Sequence, residues 1–590
     1  MVYYVLDLEA DGLLDEVTKV YCLSYQKFDK FQLIKQGTLT TESSIREFFS
    51  PEDPKILFCH NIVDYDIPLI KLIYGIDMPT NYTIYDSLAI SFGLYPIKGF
   101  LHGLGEWGVR VGIPKPLIDD WKNLTLKEYI HRCEEDVEIN VKVIHHMIEY
   151  CLEIYEDIDA VLNYFSYLTF KQYCLEDQKA EKIKLDVSLA EKNLMDLEFF
   201  IDEKITILSA MMPPVLDKKN VMPKSGLYLK GKSSPKLMLN DPNMKKHGRA
   251  WMQKLHDRGL PLDSTEIYLP GNPGSSPQLK AFLYLLGWIP ELYEKNDKGE
   301  DIAKVSLPFG KGLCPSVKKL FPDNPGLEQL DSLYKARHRK GLLKAFLESK
   351  DEDGYIIASA FGYTNTLRMA HKRPVANLPK PSIWYGKEIR GCLTIPDDSY
   401  IMIGSDISGL EDNTKQHYIY YYDPKYVTEM RVPGFDAHVD IAVLADLLTR
   451  EDEKFFRWYE AKEDEARKNK VDPDFTEEQL TRMKAIKKVR GGAKQVNFSA
   501  TYGAGAPKLA KSLDCTLEFA QVLHKTYWTR NKAIKQTAND ATVKVIRGQK
   551  WIYNPVSKFW LFLKSEKDRF STLNQSTGRH YMPLYIEMCK

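Results

Sequence analysis

No CxxC pair occurs among the nine cysteines of this 590-residue sequence, which removes the short-spaced thiolate arrangements of structural zinc sites. Their odd number and their scatter from Cys22 to Cys589 argue equally against a disulfide framework and for a reducing, cytoplasmic location. No apolar run approaches the roughly 20 residues of a membrane-spanning helix, and residues 1–9 lack the basic and small-residue flanks of a signal peptide, so no membrane partner is expected. Repeats of solenoid period and low-complexity tracts are missing too. Net charge is absent as well. The 81 Lys and Arg balance 81 Asp and Glu, so the total is silent on nucleic acid and only local asymmetry can speak. What is present is a globular composition, 44% hydrophobic, 12% aromatic and 27% charged, over a length that suits roughly three to four domains.

Residues 1 to about 150 alternate strand-like runs, VYYVLDLEA, KVYCLSYQKF and KILFCHN, with amphipathic helical ones, an α/β pattern. From about 151 to 210 leucines and isoleucines recur at helical steps, until Pro213 and Pro214 break the run. Between Pro214 and Leu260 eleven Lys and Arg stand against three Asp, which reads either as a solvated loop or as a basic arm for a polyanion. Residues 451–488 are densely charged with mixed sign. Thr476 and Gln479 there have the spacing of a capping box, which suits a solvated helical hairpin.

Two groups of residues carry chemistry. Asp7 and Glu9 are two apart in a strand and so share a face at its end, before the turn at Asp11-Gly12. Asp66 follows a second apolar strand and opens a helical run; Asp136 lies inside another helix, with His131 five residues upstream. Four acids brought together repel unless divalent cations neutralise them, and two oxygen-bound ions are a standard device for attack of water on a phosphodiester. A histidine beside them can take the proton of that water. In the second group, an apolar run Tyr400–Ser405 reads as a strand ending in Asp406, with Glu411 five residues on. Arg490, Lys494, Phe498 and Tyr502 recur every four residues, forming one stripe on a helix that stops at Gly503 and Gly505. Two cations, then an aromatic, then a tyrosine suit a triphosphate at one end and a base and sugar at the other.

The segments LDLEADGLLDEVTK, CHNIVDYDIPLIKL and CEEDVEINVKVI resemble, in order and spacing, the three motifs of the DEDD 3′→5′ proofreading exonucleases. DxSxxE at Asp406–Glu411 and RxxxKxxxFxxxYG at Arg490–Gly503 are similar to motifs A and B of family A DNA polymerases. Thr366-Leu-Arg368, Asn377-Leu-Pro379, Tyr385–Arg390 and Phe435–His438 resemble segments between them, so the likeness spans most of the chain and is closest to the T-odd podophage replicative type.

That resemblance implies an α/β multidomain chain: an RNase H-like exonuclease over 1–150, a thumb over 151–370 with a basic insertion at about 214–260, and palm and fingers over 371–590 with a charged insertion at about 451–488. It implies that Asp7, Glu9, Asp66 and Asp136 hold two Mg2+ or Mn2+ ions with His131 as general base. In the polymerase half, Asp406 and the carbonyl of Ile407 would hold the other pair, Glu411 would exclude ribose, and Arg368 would contact primer-template DNA. Arg490, Lys494 and His438 would grip the dNTP phosphates, with Phe498 and Tyr502 on the nucleotide.

The chain also departs from the pattern. Arg132 stands where family A exonucleases usually carry a tyrosine, while His131 fits the histidine variant. No motif C, the His-Asp-Glu hairpin of the palm, follows Leu573–Gly578, so the right hand reads as incomplete and a second polypeptide carrying that hairpin is an expected partner. A processivity factor at the basic insertion is another. A stand-alone exonuclease with a DNA-binding second half and a non-catalytic replication scaffold stay open as alternatives.

Overall fold

Strand β1 (Val2–Ala10) buries Tyr3 and Val5 in one apolar cluster and Leu6 and Leu8 in another, as alternation requires of a strand covered on both faces. The structure is a computed structural model that describes residues 1–115, 124–221, 227–230, 232, 242–296, 298–307, 312–372, 374–404, 406–513 and 515–589, with the backbone alone described at 218–221 and 581–589. β1 pairs antiparallel with β2 (Val20–Asp29) and β2 with β3 (Gln32–Leu39). On its other side β1 runs parallel to β4 (Ile56–Cys59), and β4 parallel to β5 (Thr83–Asp86), giving the order β3-β2-β1-β4-β5. The helix Leu126–Tyr155 begins at a capping box formed by Thr125 and Glu128 and buries Val137, Ile144, Ile148 and Cys151.

The chain forms two compact units, residues 1–180 with 359–371 and 403–590, and residues 181–358 with 372–402. The first therefore unites the expected exonuclease segment with the expected palm and fingers. Its cause is one shared core. A meander of strands Val543–Ile546, Gln549–Asn554 and Phe559–Phe562 sets Trp551 against Tyr150 and Phe559 against Tyr164, with ring centroids 5.9 and 5.1 Å apart. In the second unit, helices Val187–Met211 and Gln329–Ser349 pack together and share a core with the sheet of Ile183–Leu185, Tyr355–Ile356 and Leu393–Thr394.

The basic segment is more than a loop. Lys224 and Lys236 lie outside the described residues, but Lys246–Asp257 is a helix whose Trp251, Met252 and Leu255 bury against Leu227, Met244 and Ile267. The charged segment does form a hairpin, of helices Arg450–Asn469 and Glu477–Thr501, each opened by a capping box and joined by the stacking of Tyr459 on Phe475. Its second arm runs without interruption into the Arg490–Tyr502 stripe. One expected element is missing: residues 400–404 are not a strand, and Tyr400, Ile401, Met402 and Ile403 are 55 to 80% exposed. An isolated strand leaves its main-chain groups unpaired, and no described segment pairs with this one. Among the described residues no helix is long and apolar enough to cross a membrane.

Candidate functional site

Asp7 and Glu9 stand near the end of β1, where a bulge between Glu9 and Ala10 breaks the ladder with β2. The loop after β4 brings Asp66 to them. Asn61 turns the chain with φ +68°, and its N–H and that of Val63 donate to the Asp86 carboxylate at 3.1 and 3.3 Å. Tyr65 ties the same loop to the carbonyl of Gly12 at 2.7 Å. Asp86 also caps the next helix through the N–H groups of Leu88 and Ala89. It organises the site without entering it, and sequence reasoning misses that role because the site-loop N–H groups it holds are 23 to 25 residues away. Asp136 comes from the long helix, which Cys133 fastens to β1 by donating to the main-chain carbonyl of Asp7 at 3.2 Å.

Carboxylate oxygens of Asp7, Glu9 and Asp136 lie within 4.8 Å of one another, and so do the Cys59 sulfur and carboxylate oxygens of Asp7 and Asp66. Asp7 belongs to both. Burial raises its carboxyl well above the usual range, reinforced by Asp136, Asp66 and Glu9. Burial likewise lifts Glu9 and Asp136 to about 7, in both cases against the pull of Arg132, and Asp66 to about 7. The cluster thus lacks positive charge. Two cations partly supply it: Lys115 donates to Asp136, and Arg132, 5% exposed, sits 3.7 Å from Glu9 and 3.8 Å from Asp136. His131 is not brought to the acids in this structure. Its ring is exposed, with Nε2 3.6 Å from Glu135, because residues four apart share a helix face and Arg132, rather than His131, is four from Asp136.

The second group is assembled by two helices. Helix Glu477–Thr501 presents Arg490, Lys494 and Phe498, with Tyr502 at its C-terminal cap before Gly503 at φ +76°. Tyr502 Oη donates to Glu411 Oε2 at 2.8 Å, and Arg579 approaches the same carboxylate at 3.7 Å. Glu411 lies in the first turn of helix Leu410–Ile419. Asn574 holds that helix by donating to the Glu411 carbonyl at 3.0 Å and accepting from Thr414 at 2.7 Å. Gly578 permits the approach, since a Cβ there would come within 3.2 Å of Leu410.

At the other end Arg490 donates to Asp436 through Nε at 2.9 Å and Nη2 at 2.5 Å. Burial would raise the Asp436 carboxyl, but Arg490 and the N–H of Val439 hold it below the usual range. His438 meets Asn497 at 2.7 Å and lies 5.8 Å from the Phe498 ring, while Lys494 Nζ stands 5.8 Å over that ring. Asp436 lies in the Phe435–His438 segment and Asn574 in Leu573–Gly578, but resemblance assigns neither a role, and Asn497 is not singled out by it. Each acts through a partner 54 to 163 residues away.

The remaining expected residues are less integrated. Arg368 is exposed at the turn between Ala360–Tyr363 and Met369–His371, after Leu367 at φ +60°. Asp406 is exposed, Ile407 is half-buried, and Asp406 belongs to no cluster of three metal-ligating side chains among the described residues.

No protein-family model and no curated protein matches the sequence. Among solved structures, the fold is similar to the POL domain of Pol1 from M. smegmatis in complex with DNA primer-template and dNTP. The TM-score is 0.60 at 15% identity, over 99% of this chain and 84% of that one. The chain therefore has a mixed α/β fold like that of a DNA polymerase domain.

Proposed function

We propose that this chain is a template-directed DNA polymerase of family A, of the T-odd podophage replicative type, carrying a 3′→5′ proofreading exonuclease in its first 150 residues. The observation that carries the polymerase reading is the Tyr502–Glu411 hydrogen bond across 91 residues. It closes the nucleotide end of the cationic stripe on the side chain that resemblance names as the ribose gate. A dNTP would lie along the stripe, its triphosphate toward Arg490, Lys494 and His438, and its sugar against Phe498, Tyr502 and Glu411. To grip phosphate, Arg490 must exchange the Asp436 carboxylate for the ligand. Primer-template DNA would pass Arg368.

The exonuclease reading rests on the four-acid cluster and on the sheet order β3-β2-β1-β4-β5. Its donors fit divalent ions: all are carboxylates held in want of positive charge, and Asp136 Oδ1 is buried with no hydrogen-bond partner. Two Mg2+ or Mn2+ ions, held by Asp7, Glu9, Asp66 and Asp136, would supply charge neutralisation and Lewis acidity there. For His131 to take the proton of the attacking water, its ring must leave Glu135 and turn to the acids.

The polymerase site does not offer an equivalent donor set, since Asp406 and the Ile407 carbonyl have no acidic trio around them among the described residues. We propose that its second aspartate comes from a second polypeptide with an HD-type hairpin, docking on the surface near Gln575. A processivity factor would dock on the 214–260 segment.

Primer extension and primer degradation assayed on one preparation test the whole reading. Extension that appears with the hairpin-bearing polypeptide and disappears with Asp406→Ala supports it. Degradation with no extension under any supplementation favours a stand-alone exonuclease, a reading to which the assembled acid cluster and the solitary Asp406 lend support. Binding with neither activity favours a scaffold.

A further inference from the structure

Cys59 is the feature of the acidic cluster that the exonuclease reading leaves unused. It closes β4 with its side chain fully buried, and its thiol donates to Asp66 Oδ2 at 3.5 Å. Its sulfur, an Asp7 oxygen and an Asp66 oxygen all lie within 4.8 Å of one another, a spacing a single ion can span. The adjoining trio of Asp7, Glu9 and Asp136 is oxygen throughout. Asp7 is thus shared by two positions of different chemistry, one hard and one with a soft donor.

Mg2+ prefers oxygen ligands at octahedral geometry and gains little from sulfur, whereas Zn2+, Co2+ and Cd2+ bind thiolates strongly. We propose that Cys59 makes the Asp7–Asp66 half of the cluster a site for thiophilic divalent ions, so that Zn2+ binds there through one sulfur and two carboxylates. The inference rests on the metal-dependent exonuclease reading and adds to it a second kind of ion. With Mg2+ the thiol keeps its proton and its bond to Asp66. With Zn2+ the S–H bond breaks, the proton passes to buffer, and a sulfur–zinc bond forms with no change of oxidation state.

In the adjoining trio the Asp136 carboxylate is 3% exposed, with Oδ2 paired to Lys115 and Oδ1 buried without a hydrogen-bond partner, so the cluster that Asp7 shares still has an oxygen free for a cation. Other sulfur is close by. Cys133 donates to the Asp7 carbonyl and packs with Cys22, so an experiment must separate these thiols from Cys59.

Co2+ serves as the spectroscopic stand-in for Zn2+. Titrated into the metal-free full chain, it should produce a near-ultraviolet thiolate-to-cobalt band in the wild type and in Cys133→Ser, absent in both Cys59→Ser and Cys59→Ala. Competition against a chelator should show Zn2+ affinity falling about tenfold or more in Cys59→Ser, while Mn2+ affinity, read by calorimetry, stays within about threefold. Circular dichroism and melting identify any variant that fails to fold, and the alanine variant then stands in for serine. A band that persists in both Cys59 variants, or Co2+ binding to the wild type without a band, overturns the proposal and leaves the exonuclease site intact. Mn2+ and Co2+ binding equally to wild type and Asp7→Ala overturns the exonuclease reading, and this inference with it.

Discussion

Without divalent ions the acidic cluster should make the first unit less stable as pH rises. Asp66 shows the size of the effect. Its carboxyl moves from 3.8 to about 7 with burial as the leading cause, and about three units at 1.36 kcal/mol each give roughly 4 kcal/mol for ionising it in place. The sign follows from proton counting. Between pH 4 and 7 the folded state holds a proton that the unfolded state has released, so stability falls as pH rises through that window and levels off above it. Asp66→Asn removes the cost while keeping the shape, and should stabilise the metal-free protein at pH 8 by about 2 to 4 kcal/mol, shrinking as pH is lowered toward 4. A divalent ion should recover a similar amount in the wild type, since saturation at 100 times Kd contributes about 2.7 kcal/mol. The assay is hydrogen exchange at the β1 amides of Leu6 and Leu8, with calorimetry, in chelator and in Mg2+ at pH 5 and 8. Exchange that slows as pH is raised, after correction for intrinsic rates, or an Asp66→Asn variant that loses stability at pH 8, would refute the reasoning.

Four further outcomes are expected. Asp136→Ala should abolish removal of a primer 3′ nucleotide with DNA binding retained, and His131→Ala should slow it by about 10²; an unchanged rate in the latter moves the base elsewhere. Phe498 has no hydroxyl to replace a missing 3′-OH, so by family likeness the assembled enzyme should discriminate against dideoxynucleotides and Phe498→Tyr should relax this; competitive incorporation assays decide. Replacing Lys230, Lys232, Lys245 and Lys246 by alanine should flatten the slope of log affinity for duplex DNA against log salt by about one unit for each phosphate no longer neutralised, whereas an unaltered slope means the segment does not touch DNA.

Both groups of residues were legible in the sequence for a physical reason: period two places Asp7 with Glu9, and a four-residue step places Arg490, Lys494 and Phe498 on one helix face. Local periodicity also located β1, the long helix and the charged hairpin. It could not locate what depends on distant partners. Asp86 and Asp436 cap the helices that follow them, and Asn574 lies in the Leu573–Gly578 stretch, but their roles in the site run through hydrogen bonds to residues far along the chain, which local sequence does not show. Arg132 was visible only as a misfit, and its role in neutralising Glu9 and Asp136 needs the helix and the strand together. The run at 400–403 shows the opposite error. Its continuous apolar run is strand-like, but a strand is made by its neighbour, and none is supplied by the described residues.

The shared core of the first unit leads to a last prediction, that residues 1–180, which hold the acidic cluster, do not stand alone. Tyr150 on helix Leu126–Tyr155, and Tyr164 and Tyr167 on the helix Ile158–Ala180 that follows it, lie against Trp551 and Phe559 of the meander, with centroids 5.1 to 5.9 Å apart. Polar contacts bind the same surfaces: Tyr150 to Gln549 at 2.7 Å, the Trp560 N–H to Tyr155 at 3.0 Å, and Lys171 to the Leu367 carbonyl at 2.6 Å. Removing residues 181–590 would expose these three tyrosines at about 2 kcal/mol each, roughly 6 kcal/mol in all. Total stabilities of about 5 to 15 kcal/mol leave little after such a loss. A fragment of residues 1–180 should therefore aggregate or melt well below the full chain, even though all four acids lie within it. Substituting Trp551→Ala in the full chain should lower the melting of the β3-β2-β1-β4-β5 sheet as well as that of the meander. If fragment 1–180 is soluble and its β1 amides exchange as slowly as in the full chain, the two segments fold independently and the shared core is only a contact.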